Sequence, residues 1–154
     1  MKVLDVSLEK DGSLTVSFQV HTIPKLTNTM KMVHGGASST LISTFTVLAL
    51  AGDKKYWKNP TEPTNAELEA FYNDLGYTRT LNIQIIQAVP LNTDVTVRCR
   101  VVSNTKSNAY IIGGIHNQGR TLVNGIHDMT KRSLASRDPM DPSSLRADFQ
   151  LSRL

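Results

Sequence analysis

The chain has 154 residues, 40% of them hydrophobic and 19% charged, which fits one globular domain with a short appendage. Its net charge of +4 is spread without a run of Lys and Arg, which argues against a nucleic-acid partner and suits an anionic ligand such as a nucleotide phosphate. The longest mainly apolar stretch, residues 44–51, is too short to span a bilayer, and the first residues fit neither a secretory signal nor a transit peptide, so no membrane partner is expected.

Two strands joined by a hairpin are predicted at the start of the chain. Lys2–Leu8 and Ser13–Val20 have the pattern of β-strands, and Asp11-Gly12 between them is typical of a tight turn. Residues 24–33, which follow the second strand, are predicted to be irregular.

A long uncharged helix is predicted next. It begins at the turn His34-Gly35-Gly36 and runs to about Ala51. No charged residue lies between Lys31 and Asp53. Because an open surface helix carries charged side chains on its outer face, we expect this helix to be enclosed by protein.

The second half of the chain is predicted to hold an insert and four strands. The insert spans about residues 53–76, and Thr64-Asn65-Ala66-Glu67 within it is typical of a capping box that starts a short helix. The four strand-like runs that follow are about 77–88, 93–103, 108–117 and 120–131. This order predicts an α+β fold in which an antiparallel sheet of about six strands wraps around one central helix.

The end of the chain changes character. Residues 133–154 hold two Asp-Pro pairs and few apolar residues, so we expect a flexible tail behind a domain of residues 1–132. The last three residues, Ser152, Arg153 and Leu154, have the small–basic–Leu pattern of the peroxisomal import tripeptide. The sequence therefore predicts recognition by the peroxisomal import receptor, with a cytoplasmic location as the alternative.

Two blocks of sequence carry a resemblance to a known family. The first block is residues 28–37, Asn-Thr-Met-Lys-Met-Val-His-Gly-Gly-Ala. The second is residues 78–84, followed by Val-Pro-Leu at 89–91 and Val-Thr-Val at 95–97. Together, in order and over about residues 13–131, they resemble the hotdog-fold acyl-CoA thioesterases of the phenylacetate-pathway and thioesterase-superfamily-member type, with the animal and fungal members closest.

This resemblance implies a hotdog fold, a homodimer or homotetramer, and hydrolysis of acyl-CoA thioesters without a metal or another cofactor. Carried over by position, Asn28 helps to place the attacking water and His34 orients the site. The backbone N–H of Gly35 polarises the thioester carbonyl, and Thr78 helps to hold the nucleophile.

One position departs from the family pattern. The family places its catalytic carboxylate nine positions after the motif His, and that position is Ser43 here. A serine hydroxyl is far less basic than a carboxylate and needs its own activator. Two hypotheses stay open: a thioesterase with a weakened or different base, and an acyl-CoA-binding protein that hydrolyses poorly. Asp74 is the foremost replacement carboxylate, although an exposed helix carboxylate is its simpler interpretation.

The glycines of the motif suit a thioester carbonyl. Gly35 and Gly36 at a helix start present backbone N–H groups at the positive end of the helix dipole, although a tight entry turn is the structural alternative. Gly35 and Ser43 are eight residues apart on one helix, roughly 12 Å at ~1.5 Å per residue. Because one thioester carbon cannot contact both, the spacing predicts a site built from two subunits.

Other candidate residues have simpler explanations beside functional ones. By the resemblance, Lys106 and Asn108 in the turn 104–108 lie near the CoA phosphates, although a solvated turn lysine is the ordinary interpretation. Trp57 and Phe71 either cap an acyl chain or pack the insert onto the domain. Cys99, the only cysteine, alternates with valines and is predicted to fill the core. Three histidines have a spacing that does not fit a zinc site, so no metal is expected: His21, His116 and His127.

Overall fold

The structure, a computed structural model, describes residues 1–131. It confirms the predicted order of elements. The helices and strands are β1 Lys2–Leu8, β2 Leu14–His21, α1 Gly35–Leu50, α2 Asn65–Asp74, β3 Tyr77–Ile85, β4 Asp94–Asn104, β5 Asn108–Asn117 and β6 Arg120–Thr130. The predicted tail and its last three residues lie outside the described residues. Within residues 1–131, no helix has both the length and the apolar character that crossing a membrane requires.

The six strands form one antiparallel sheet in the order β1-β2-β4-β5-β6-β3, which leaves β1 and β3 at its edges. Strand β3 ends three residues earlier than predicted. The backbone N–H groups of Ile86 and Gln87 both donate to the carbonyl of Leu122, so the chain leaves the strand ladder there. The α+β class and the six-stranded sheet are confirmed.

Helix α1 packs on one face of the sheet. Its buried residues include Ile42, Phe45 and Ala49, and the ring of Phe45 lies 4.9 Å from that of Phe18 on β2. Cys99 is fully buried in β4, as predicted for a core residue, and burial raises the pKa of its thiol to about 12. The side of α1 turned away from the sheet stays exposed in the described chain although it carries no charge: Gly36, Thr40, Thr44 and Leu48.

Two glycines allow α1 to approach the sheet closely. Gly113 of β5 and Gly125 of β6 face each other across the ladder and lie under α1. A Cβ atom at Gly125 would stand 2.6 Å from Cγ2 of Ile42, and one at Gly113 would stand 3.0 Å from Cγ2 of Thr46. The missing side chains therefore bring polar groups of α1 within hydrogen-bonding reach of the sheet.

The insert is docked by aromatic rings. The predicted capping box is present at the start of α2, with Thr64 and Glu67 bonded to each other's backbone N–H. The Phe71 ring packs 4.9 Å from that of Tyr56 and 5.3 Å from that of Trp57. The indole N–H of Trp57 donates to the carbonyl of Ala51, at 2.7 Å. Phe71 belongs to the buried hydrophobic core and Trp57 packs against that core, so both residues pack the insert onto the domain.

Candidate active site

The first part of the site is the start of α1. His34 is the N-cap residue, and its Nδ1 accepts a hydrogen bond from the N–H of Gly36, at 3.0 Å. The N–H of Gly35 finds no acceptor within residues 1–131. The sequence predicted that these two N–H groups could bind a negatively charged oxygen. The Gly36 N–H is already bonded to His34, whereas the Gly35 N–H has no partner within residues 1–131 and lies at the positive end of the helix dipole.

Asn28 lies beside this helix start. Its Oδ1 accepts hydrogen bonds from the N–H groups of Met30 and Met32, at 2.9 and 3.1 Å, which fix the loop before α1. Asn28, His34 and Gly35 line one open depression, together with two threonines of the same loop. The structure thus brings three of the predicted site residues together. The chain's own residues that line the depression include no carboxylate.

A second group of predicted residues meets in the middle of α1. Thr78 Oγ1 lies 2.8 Å from Nε2 of His127, and Nδ1 of the same ring lies 2.7 Å from Oγ1 of Thr46. Thr46 Oγ1 also lies 2.9 Å from the carbonyl oxygen of Ser43. The structure therefore connects Thr78 to the helical turn that holds Ser43, through two side chains that sequence reasoning did not assign to the site.

The two groups lie at different places along the same elements. Gly35 packs near Ile85 at the end of β3, since a Cβ at Gly35 would stand 3.0 Å from Cδ1 of Ile85. Thr78 lies at the start of the same strand. On α1, Gly35 and Ser43 are separated by roughly 12 Å. A single chain therefore divides the predicted residues into one part at the start of α1 and a hydroxyl-rich part near its middle.

Lys106 and Asn108 lie at the far end of α1 from Gly35. The turn that holds them follows Asn104, whose side chain donates to Asp53 just beyond the end of α1, at 2.9 Å. The 16 residues of α1 span ~24 Å, so neither residue reaches the Gly35 depression of its own chain. Lys106 is exposed, and Lys55 donates to the Asn104 carbonyl at 2.9 Å, which gives this end of the molecule a basic surface.

Asp74 is not a free base. Its carboxylate accepts hydrogen bonds from the hydroxyl of Tyr56 and from the ammonium of Lys131, the latter at 2.6 Å. Burial alone would raise the pKa of Asp74, but the bonds from Lys131 and Tyr56 outweigh it and hold the pKa below its usual value. Lys131, 1% exposed, also donates to Asn104. The carboxylate of Asp74 thus holds the insert to the sheet, which argues against its use as the replacement base.

The sequence matches no protein-family profile, and no curated protein sequence matches it. Solved structures do match. Thioesterase superfamily member 2 from Mus musculus is 17% identical at a TM-score of 0.60, over 84% of this chain and 80% of the mouse chain. A hypothetical thioesterase from Streptococcus pneumoniae TIGR4, solved with coenzyme A, is 18% identical at a TM-score of 0.57, over 82% of this chain and 86% of that chain.

A third structure, smu.793 from Streptococcus mutans UA159 bound to acetyl CoA, is 16% identical at a TM-score of 0.59, over 85% of this chain and 87% of that chain. The chain has the hotdog fold. In this hotdog domain, β3 is an edge strand, and the predicted site residues lie along α1 and β3.

Two residues that contact the predicted site residues were not among the candidates from the sequence. His127 entered only as a possible metal ligand, and Thr46 not at all. The available signal was the alternation of β6, in which His127 shares the buried face with Gly125 and Met129. A histidine on an inward face needs a hydrogen-bond partner, and the partners come from α1 and β3.

Proposed function

We propose that the chain hydrolyses acyl-CoA thioesters to a free acid and CoA, as an enzyme of the phenylacetate-pathway or thioesterase-superfamily-member type. The observation that carries this proposal is the N–H of Gly35 at the start of α1, which has no acceptor within residues 1–131, in a fold shared with solved thioesterase structures. A backbone N–H at a helix N-terminus stabilises the negative charge that develops on a thioester oxygen during attack by water.

The proposed site is built from two copies of the chain. Gly35 and its neighbours supply the carbonyl-binding part of one subunit, and Thr78 with the Ser43 turn supplies the water-activating part of the other. Two surfaces support this assembly. Edge strand β3 is followed by Ile86, and Ile85 and Ile86 are 50% and 48% exposed. The exposed side of α1 carries no charge. Both are surfaces that a second copy would bury.

Sedimentation velocity at micromolar concentration tests this assembly. A homodimer or homotetramer is expected. A monomer would contradict the two-subunit site, because one chain cannot bring Gly35 and Ser43 to the same carbon.

An acyl-CoA-binding protein without useful hydrolysis is the second candidate, and Ser43 favours it. No carboxylate stands at that position of α1, and Asp74 is engaged by Lys131. Release of CoA thiol, followed across acyl chain lengths and set beside calorimetric binding of the same esters, separates the candidates. Turnover of esters that bind supports the enzyme. Micromolar binding with no thiol release contradicts the enzyme and leaves the binding protein.

We also propose import into peroxisomes, on the strength of Ser152, Arg153 and Leu154 in the sequence. A fluorescent protein is fused before residue 1, with and without the last three residues. The full fusion is expected in puncta that hold a peroxisomal marker, and the shortened one in the cytosol. A diffuse full fusion would contradict the proposal.

A further inference from the structure

His127 is a buried titratable group that the reaction described so far does not use. Its side chain is 0% exposed, on the inner face of β6. Both ring nitrogens are engaged, Nδ1 with Thr46 Oγ1 at 2.7 Å and Nε2 with Thr78 Oγ1 at 2.8 Å. Thr78, in contrast, is an exposed residue. Its hydroxyl therefore joins the buried ring to the surface where the substrate would lie.

The hydrogen positions follow from the contacts of Thr46. Its Oγ1 lies 2.8 Å from the carbonyl oxygen of Ile42 and 2.9 Å from that of Ser43. Carbonyl oxygens can only accept, so the single hydroxyl hydrogen of Thr46 points at this pair of carbonyls, which share it as a bifurcated hydrogen bond. The contact with His127 must then be donated by Nδ1–H. Nε2 is left with its lone pair and accepts the hydroxyl hydrogen of Thr78.

From this arrangement we propose that His127 accepts, through the Thr78 hydroxyl, the proton of the attacking water. The inference rests on the proposed thioesterase function and deepens it. Thr46 is a positioning residue that fixes the ring and its tautomer, and Thr78 is the group that contacts the water. A hydroxyl, a histidine and a third group that orients the ring form the arrangement that activates hydroxyl nucleophiles in other hydrolases.

The proton transfers balance. Water oxygen forms a bond to the thioester carbon while one of its protons moves to Thr78 Oγ1, and the hydrogen of Thr78 moves to Nε2 of His127. The imidazolium and an oxyanion held by the Gly35 N–H of the other subunit result. The C–S bond then breaks with its electron pair on sulfur, and the proton returns through Thr78 to the thiolate. The products are the free acid and CoA thiol.

The surroundings of His127 suit this role. Burial lowers the pKa of the ring, which keeps it neutral and able to accept a proton at pH 7, while Asp128 acts in the opposite direction. Asp128 is itself paired with Arg79 of β3, whose Nε lies 3.0 Å from its carboxylate. The partners of the ring from α1 and β3, Thr46 and Thr78, are neutral. The proposed base, His127, thus lies beside the same turn of α1 as Ser43, the position of the family's carboxylate.

The test compares kcat against pH for the wild-type protein and matched variants. Wild-type kcat is expected to fall with one protonation, at a pH below the ordinary pKa of histidine, because burial lowers the pKa of the His127 ring. His127→Gln keeps a polar partner for Thr78 but cannot accept the proton. Its kcat should be ~10²–10⁴-fold lower, and the fall of kcat at low pH, the acid limb of the profile, should disappear. Thr78→Val should show the same loss, and Thr78→Ser should restore the rate and the limb.

Thr80→Val, on the same exposed strand, is the control and should keep the wild-type rate. Because His127 is buried, Thr78→Val carries the test if His127→Gln fails to fold. Wild-type rates in Thr78→Val, or an acid limb that persists in folded His127→Gln, would overturn the inference and leave the thioesterase intact. Absence of hydrolysis by the wild-type protein overturns both. Nitrogen NMR must also find the His127 proton on Nδ1; a proton on Nε2 at neutral pH overturns the relay.

Discussion

At the scale of single residues, the backbone N–H of Gly35 is the group on which the proposed chemistry depends. Gly35 is the first residue of α1, and His34 before it has φ −60° and ψ 140°. Both conformations accept a proline at position 35, since proline is favoured at the first helical position and needs an extended residue before it. Gly35→Pro therefore deletes one N–H while keeping the helix start.

We expect Gly35→Pro to lower kcat by ~10²–10³-fold, the usual cost of one oxyanion donor. Gly35→Ala is the matched control, because it adds the same Cβ beside Ile85 but keeps the N–H. Thiol-release kinetics on both variants give the comparison. Equal losses in the two variants would show that the added carbon, and not the N–H, causes the effect.

Ser43 is the position at which a carboxylate should help. Ser43→Asp places a second proton acceptor one turn before Thr46, and we expect kcat to rise about tenfold, part of the ~10²–10⁴-fold that general-base assistance contributes. Some thermal stability should be lost, because a half-buried carboxylate on an uncharged helix loses hydration. Ser43→Asn is the control, with similar size and no basicity. An equal rise in both variants would contradict the role of the carboxylate.

Removing either partner of the Lys131–Asp74 ion pair should destabilise the fold, but by different amounts. Lys131 is 1% exposed and Asp74 34%. Asp74→Asn leaves a buried cation without its anion and should cost roughly 3–5 kcal/mol in the free energy of unfolding. Lys131→Met leaves a carboxylate that water can reach, and should cost less, about 1.5–3 kcal/mol. Urea unfolding of both variants measures the two costs, and the reverse order would contradict this account of the cluster.

The same ion pair makes the stability of the fold depend on pH. The pKa of Asp74 is lowered in the folded protein, so its contribution is fully present above the unfolded value of about 3.9 and is lost as pH falls through the folded value. The free energy of unfolding of the wild-type protein should therefore fall more steeply below pH ~4 than that of Lys131→Met, because the loss of Lys131 returns the pKa of Asp74 toward its usual value. Asp5→Asn, an exposed aspartate of β1, serves as the control.

At the scale of elements, the position of α1 on the sheet depends on two facing glycines. A Cβ at Gly125 would stand 2.6 Å from Cγ2 of Ile42, a branched carbon whose rotamer is stiff in a helix. Gly125→Ala should therefore push α1 away and cost roughly 1–3 kcal/mol in the free energy of unfolding. Asn124→Ala, exposed on the other face of β6, is the control. Unchanged stability in Gly125→Ala would show that α1 is not held this closely.

The elements themselves were largely predictable from local sequence. Alternating side chains and short turns such as Asn117–Arg120 determine the strands, and Thr64 with Glu67 determines the start of α2. The lack of charge on α1 predicted a helix enclosed by protein, but the described residues of one chain leave one uncharged side exposed.

The site was predictable only in part. Asn28, His34 and Gly35 are close in sequence, so their meeting needs only a local loop. His127 and Thr78 are 49 residues apart and meet through the pairing of β3 with β6, a long-range register that no local pattern reveals. Asp74 and Lys131 are 57 residues apart and meet in the same way. Position within the sheet, and not residue type alone, decides which carboxylate or imidazole is free to react.

At the scale of the whole molecule, each proposed site is shared between two chains. Gly35→Pro removes the proposed carbonyl-binding group, and Thr78→Val removes the proposed water-activating group. In either homodimer, both sites carry the lesion. A mixed dimer holds one site with both lesions and one site with neither.

Thiol release by the two variants, unfolded together and refolded as a mixture, is the most direct measurement of this claim. Random pairing makes half of the dimers mixed, each with one intact site, so the mixture should regain roughly a quarter of wild-type activity. The same variants combined without unfolding should stay as inactive as each alone. If the refolded mixture never exceeds the activity of the separate variants while sedimentation shows dimers, one chain supplies every catalytic group and the two-subunit site is contradicted.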